Sequence, residues 1–275
     1  MNRTYALPPA DLPSQSTVLD ERAVFTEAYA FLPADTMRDI VTSFLPGWAK
    51  CRSWIIARPL SGFAETFSHF IMEMAEGGTG DGEPDARVEG VLFMVGGAAR
   101  LTIDGTAHNL RPGSYAFLPA GADWSIAQSG DAPATFHWVR KRYEPAPGIA
   151  APKSFVTHDD DVGPISMPNT ADKWATTRFV EPDDLSHDMH VNIVTFQPGG
   201  KIPFMETHVM EHGLYVLQGT ANYRLNQDWV ECGPGDYMWL RAFCPQACVA
   251  TGDEPFRYLL YKDVNRFPRL GAFSQ

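Results

Sequence analysis

The chain has little that would place it on nucleic acid or in a membrane. No run reaches the 18 or more apolar residues that a membrane span needs. Acidic side chains outnumber basic ones, 33 to 22, for a net charge of −11. The basic surface required by nucleic acid or an anionic bilayer is therefore not expected. An anionic small molecule stays possible, since one local Lys or Arg suffices to bind it. Cysteine is scarce: Cys51, Cys232, Cys244 and Cys248 in 275 residues. That is no disulfide framework for a chain this long. Cys244 and Cys248 also lack the second pair that would complete a zinc site. Reduced, buried thiols are expected. The opening MNRTYALPPADLPSQ has no apolar stretch of the signal-peptide kind, so a cytoplasmic location is expected.

Helical periodicity is scarce as well, and only Asp35–Phe44 suggests a short helix. What is present instead is a series of short apolar runs: VLFMV, YAFLP, VNIVTF, LYVL, YMWL and RYLLY. Plentiful glycine (23) and proline (22) separate them, which is the punctuation of an all-β chain. The length allows one large core or two of ordinary size.

The sequence then repeats itself. Gly77, Glu83, Asp85, Glu89 and Gly96 each lie 123 residues before Gly200, Glu206, His208, His212 and Gly219. Gly113, Pro119, Gly121 and Trp124 lie 122 before Gly235, Arg241, Phe243 and Gln246. A one-residue indel in the connecting turn accounts for the change. His69 pairs with His190 only if the register shifts again. Two tandem β-domains are expected, residues 1–145 and 146–275. A Pro-rich, then charged, linker region spans Tyr143–Asp172.

The second copy carries the chemistry. Its spacing is Gly200-x5-Glu206-x-His208-x3-His212-x6-Gly219, with Gln246 34 residues beyond His212. On a strand Glu206, His208 and His212 are in phase. Two imidazoles, a carboxylate and an amide oxygen form a donor set for a first-row divalent cation. With no thiolate among them, Mn²⁺ fits best, and Fe²⁺, Zn²⁺ and Ni²⁺ are compatible. Further on, Tyr258, Leu260 and Lys262 share one strand face.

These residues resemble the two-part motif of the cupin superfamily, a small antiparallel jelly-roll barrel. Its usual first part is G-x5-H-x-H-x3/4-E-x6-G, and its second is G-x5-P-x-G-x2-H-x3-N. This chain keeps the spacing but places Glu206 for the first His, His212 for the Glu and Gln246 for the last His. Doubling makes it a bicupin. The altered set, followed by NQDW, WLRAFCPQAC and YLLYKDVNR, is similar to the (S)-ureidoglycine aminohydrolases of allantoin breakdown. The resemblance runs along nearly the whole chain and is strongest from Glu206 to Arg266. It implies a manganese bicupin that removes ammonia from (S)-ureidoglycine and leaves (S)-ureidoglycolate, working from its C-terminal domain. It implies Glu206, His208, His212 and Gln246 as metal ligands, with Glu206 doubling as a proton acceptor. It also implies Tyr223, Tyr258 and Lys262 in the substrate pocket, Tyr258 and Lys262 with catalytic parts. A homo-oligomer is expected, with a small ureido compound as its partner.

The first copy departs from the motif. Glu83, Asp85, Glu89 and Trp124 occupy its ligand positions, and Trp124 offers no ligand atom, so scaffold and interface roles are expected there. Tyr215 and Trp239 are expected in the core and His190 in a structural place. Arg241 is expected to be structural or to border the pocket, and His108, His137, His158 and His187 receive no role. Other readings stay open. A metal-free storage or sugar-binding bicupin would lose ligands in both halves. An Fe²⁺ dioxygenase would use three His, or His with Glu, and no Gln. A sugar-phosphate isomerase would show a stronger basic pocket.

Overall fold

The computed structural model describes residues 2–18, 22–60 and 62–268. The first half contributes β1 (Val24–Phe25), β2 (Tyr29–Leu32), β3 (Trp48–Ala57), β4 (Phe67–Gly80), β5 (Val88–Gly96), β6 (Ala98–Ile103), β7 (Thr106–Leu110), β8 (Ser114–Leu118), β9 (Trp124–Ser129) and β10 (Ala134–Arg142). The second contributes β11 (Phe155–His158), β12 (Ile165–Ser166), β13 (Trp174–Thr177), β14 (Met189–Phe196), β15 (His212–Gln218), β16 (Ala221–Leu225), β17 (Asp228–Cys232), β18 (Tyr237–Leu240), β19 (Gln246–Ala250) and β20 (Phe256–Asp263). All strand pairs are antiparallel. Where a helix was expected at Asp35–Phe44, the chain makes two 3-10 turns, Ala34–Thr36 and Asp39–Val41. The Thr36 and Thr42 hydroxyls donate to the carbonyls of Pro33 and Asp39, closing each turn locally instead of extending it. No helix among the described residues is long and apolar enough to cross a membrane.

Two barrels pack sheet against sheet. The first has the path β11-β8-β5-β10-β4-β9-β6-β7, with β3 on β4. The second has β1-β2-β18-β15-β20-β14-β13-β12, faced by β17-β16-β19. Strands are exchanged across the halves. β2 pairs with β18, and β11 pairs with β8. Period-two alternation then divides the core into three. Met72, Leu92 and Phe136 fill the first barrel, and Leu214, Tyr223 and Tyr258 fill the second. Phe67, Phe93, Tyr215, Trp239 and Tyr261 form a shared layer between them. Strands buried on both faces read as continuous apolar runs, which explains VNIVTF and RYLLY. Tyr215 and Trp239 lie in the shared layer, as expected of core residues.

The structural repeat has one offset, 122, throughout. Gly97 and Gly219 both take positive φ (61° and 71°) at the same turn. A Cβ there would strike the carbonyl oxygen of Pro133 or of Pro255, so only glycine fits. The ladders agree. Gly90 lies opposite Leu118 and Arg140, and His212 lies opposite Leu240 and Lys262. The sequence alignment at 123 is therefore corrected: it matched Gly96 to Gly219 where the doublet Gly96-Gly97 offered two choices. The counterparts of Glu206, His208 and His212 are Pro84, Ala86 and Gly90, not Glu83, Asp85 and Glu89. The pairing of His69 with His190 is also corrected. His190 lies opposite Lys262 as Ser68 lies opposite Arg140, so its counterpart is Ser68. His69 instead faces the shared layer, where its Nε2 is 2.9 Å from His137 Nδ1. Burial pushes His69 down to about 3 and His137 well below the imidazole range, so both are neutral.

Candidate metal centre

One chain crossing assembles the site. The loop before β15 folds back along β19, forming bridges Lys201–Val249 and Glu206–Gln246. Glu206 N–H donates to the Gln246 carbonyl at 2.9 Å, and Gln246 N–H donates to that of Glu206 at 2.8 Å. The two candidate ligands most distant in sequence are thereby made direct neighbours. Two residues on, Phe243 N–H donates to the His208 carbonyl at 2.7 Å and the Thr207 hydroxyl to the Phe243 carbonyl at 2.8 Å, fixing the loop that carries His208. His212 opens β15, between Leu240 and Lys262.

The side chains converge unequally. Gln246 Nε2 is 3.1 Å from His208 Nε2 and 3.3 Å from His212 Nδ1. The two imidazole rings are 4.5 Å apart, and Glu206 Oε1 is 3.9 Å from His208 Nε2. Among the described residues no three His, Cys, Asp or Glu side chains form a metal cluster by themselves. The Gln246 amide is what joins the imidazoles. Two buried ring nitrogens, His208 Nδ1 and His212 Nε2, have no hydrogen-bond partner. Burial, then the neighbouring His208 and Lys262, pushes His212 well below its usual range, so it is the neutral imidazole that metals bind. Burial raises the Glu206 carboxyl, with His208 and Lys262 opposing. A half-buried carboxylate beside two imidazoles and an amide has the donor chemistry of a divalent-cation site.

Tyr258 and Lys262 stand on one inner wall, on β20, and Tyr223 stands on the facing sheet, on β16. The Tyr223 hydroxyl donates to Gln246 Oε1 at 2.8 Å, and its ring meets that of Tyr258 edge-on at 6.1 Å. Burial holds both hydroxyls well above the phenol range, so they act as hydrogen-bond donors and not as bases. Lys262 is partly buried and makes no ion pair among the described residues. Burial lowers its pKa, Arg178 adds to the effect and Glu206 opposes it. Arg241 is exposed; its backbone N–H donates to the Ala28 carbonyl, and its carbonyl accepts from Cys244 N–H.

The carboxylates of the first half are engaged elsewhere. Glu83 holds Arg140 through two 2.6 Å bonds, and Asp85 holds Arg87. Glu89 is buried against Asp188, while Trp124 fills the barrel. Glu211, next to His212, is no ligand either. It accepts bonds from the backbones of Glu65 and Thr66, the Thr66 hydroxyl and the Trp239 indole, tying the two halves together. Two residues at the pocket, Arg178 and Asn192, carried no sequence expectation, and a third, His190, was expected in a structural place. Arg178 sits just past β13, and His190 and Asn192 point inward from β14. The signal was present in MHVNIVTF, where polar residues fall in phase with Tyr258 and Lys262.

A doubled jelly roll with one polar barrel defines a bicupin with a single candidate centre. The family comparisons agree: a cupin domain matches residues 192–261 and a EutQ-like cupin domain matches residues 61–143. A probable (S)-ureidoglycine aminohydrolase of Oryza sativa subsp. japonica is 32% identical over 90% of this chain and 76% of its own. The (S)-ureidoglycine aminohydrolase of Escherichia coli K12 is 28% identical over 90% and 94%. The crystal structure of a putative glyoxylate-induced protein from Pseudomonas aeruginosa is 56% identical, with a TM-score of 0.93, over 98% of this chain and 100% of that one. The chain belongs to the (S)-ureidoglycine aminohydrolase family.

Proposed function

We propose that this protein is a metal-dependent hydrolase that releases ammonia from (S)-ureidoglycine and leaves (S)-ureidoglycolate. Glu206, His208, His212 and Gln246 are its ligands for a first-row divalent cation. The observation that carries this is the meeting of the Gln246 amide with both imidazoles beside a lysine that has no carboxylate partner. The activity named for the relatives supplies the substrate. A primary amide turned over about its last bond exchanges oxygen for nitrogen with no change of shape. Turned so, Gln246 presents Oε1 to the imidazole side and Nε2 to Tyr223.

A bound cation, Mn²⁺ or alternatively Fe²⁺, Zn²⁺ or Ni²⁺, supplies Lewis acidity and orientation. The chain's own residues do the rest. Lys262 pairs with the substrate carboxylate, gaining the counter-charge it otherwise lacks. Tyr258 donates a hydrogen bond from the same wall, and Tyr223 holds the Gln246 amide. In the reaction the Cα–N bond to the amine breaks and a Cα–O bond to water forms. The proton released by water ends on ammonia. Glu206 carries it, on a carboxylate oxygen that stays free. The reading also entails a cytoplasmic homo-oligomer. The test is ammonia release from freshly made ureidoglycine, with the metal content of the same sample measured. Release that depends on the bound metal is expected. A fully loaded, folded sample that releases none overturns the reading.

A further inference from the structure

The inner wall of the second barrel carries two polar side chains that the reaction above leaves unused. On β14, Met189, Val191 and Ile193 face the shared layer, so His190 and Asn192 face the barrel interior with Val194 and Phe196. Each is 3% exposed. The ladder places them beside the candidate centre. His190 lies opposite Lys262, and Lys262 lies opposite His212, forming one row across three strands. Asn192 lies opposite Leu260 in the next row, making it a diagonal neighbour of Lys262. Such neighbours stand about 7–8 Å apart.

Both side chains are unsatisfied. Asn192 Oδ1 and His190 Nε2 are buried and have no hydrogen-bond partner. Buried polar atoms are rarely left so without a reason, because each retains its full desolvation cost. The fold does not require them. At the uniform 122 offset the first barrel has Phe70 in place of Asn192 and Ser68 in place of His190, and Phe70 packs in that barrel's core. The same comparison gives Gly90 for His212, Trp124 for Gln246, Leu101 for Tyr223 and Phe136 for Tyr258. Asn192 therefore belongs to the set of polar groups that only the second barrel carries.

We propose that Asn192, with His190 beside it, is the subsite that reads the ureido group of the substrate, and that Asn192 determines specificity for it. The inference rests on the function proposed above. A ureido group presents N–H donors and a carbonyl acceptor in one plane. A primary amide presents the complementary pair and binds both at once. His190 is a neutral imidazole, since burial and then Lys262 push it down to about 4, and it adds one further donor or acceptor. Lys262, a diagonal step away and reinforced by Arg178, takes the carboxylate of the same small molecule. Carboxylate and ureido groups hang on one carbon, and their separation suits that diagonal.

Asn192→Leu tests the inference in the metal-loaded full-length protein. Binding of (S)-ureidoglycolate and of glycolate, which shares the hydroxy acid but lacks the ureido group, is measured by calorimetry, with melting temperature alongside. Wild type is expected to prefer ureidoglycolate by about tenfold or more, and the variant to lose that preference while still binding glycolate. The variant's melting temperature is expected to stay level or rise, because an unsatisfied amide is replaced by an apolar side chain in an apolar wall. Asn192→Ala, which cannot overpack, is run beside it in case the leucine does not fit. A folded variant that keeps the ureidoglycolate preference, or a wild type that shows none, overturns the inference. If wild type shows the preference and Asn192→Leu abolishes it, yet wild type releases no ammonia from ureidoglycine, the subsite stands and the proposed reaction falls.

Discussion

Glu89→Gln is expected to stabilise the protein in proportion to pH. Glu89 lies at the head of β5 opposite Lys141, with both carboxyl oxygens buried. Asp188 faces it, also fully buried, and holds the Lys141 ammonium and the Glu144 N–H at 2.7 Å. Two carboxylates have nothing to donate to each other, so one proton between them makes the contact. Burial, then the hydrogen bond and charge of Asp188, raises Glu89 well above its usual range, with Lys141 and Arg266 opposing. Glu89 is thus the protonated member in the folded state. A raised folded pKa contributes stability that is full below the unfolded pKa and is lost as pH rises through the folded one. Between those limits wild type loses about 1.4 kcal/mol per pH unit. Glutamine keeps the shape and a donor and has no proton to lose. For a chain of this size each kcal/mol moves the melting temperature by roughly 2–4 °C. The gap between Glu89→Gln and wild type should therefore widen by ~3–5 °C per unit above pH ~4.5. Melting curves across pH 5 to 8 measure it. A gap that is constant, or that narrows as pH rises, refutes the shared proton.

Lys262→Met should leave metal content unchanged and lower kcat/KM by about tenfold to a hundredfold, because a charged hydrogen bond to the substrate is lost. Its melting temperature should stay level or rise, since a partly buried ammonium with no ion pair among the described residues is removed, and a variant within about twofold of wild-type activity would place Lys262 outside the pocket. Tyr223→Phe should weaken metal affinity by roughly tenfold or more, because the hydroxyl that orients Gln246 is gone. Competition with a chelator measures that loss, and unchanged affinity would separate Gln246 from the metal. His212→Ala should lose bound metal while Glu83→Gln keeps it, read by elemental analysis; equal loss from both would overturn the single-centre arrangement.

The strands and the donor set were legible because period-two burial and ligand spacing are local. Glu206, His208 and His212 fall within seven residues, and the ladder beside β15 fixes their phase. Gln246 lies outside that window and enters through the spacing Gly235-x5-Arg241-x-Phe243-x2-Gln246. The repeat itself was misread by one residue at Gly96-Gly97, since which glycine takes positive φ depends on where Pro133 lies. That single step moved three first-half counterparts from Pro84, Ala86 and Gly90 to carboxylates, and so made acidic residues look like vestiges of a metal site. His190 and Asn192 on β14 carry no ligand spacing, and only the ladder that sets His190 opposite Lys262 shows which wall they share. The strand exchange left no local signal at all. A two-residue β1 and a four-residue β2 say nothing about a partner 200 residues away.

That exchange orders events in time. Tyr29–Leu32 leaves the ribosome long before Tyr237–Leu240 exists, and Ala6 waits likewise for Leu217. β2 thus cannot be seated until most of the second barrel has been made, while β8 acquires its outer neighbour as soon as Phe155–His158 is made. During synthesis the nascent chain carries an unseated leading segment whose destination is the rim of the barrel still to be translated. The sheet that houses the candidate centre thus includes a strand from each half, so residues 146–275 made alone would hold the ligands without β2, the neighbour of β18.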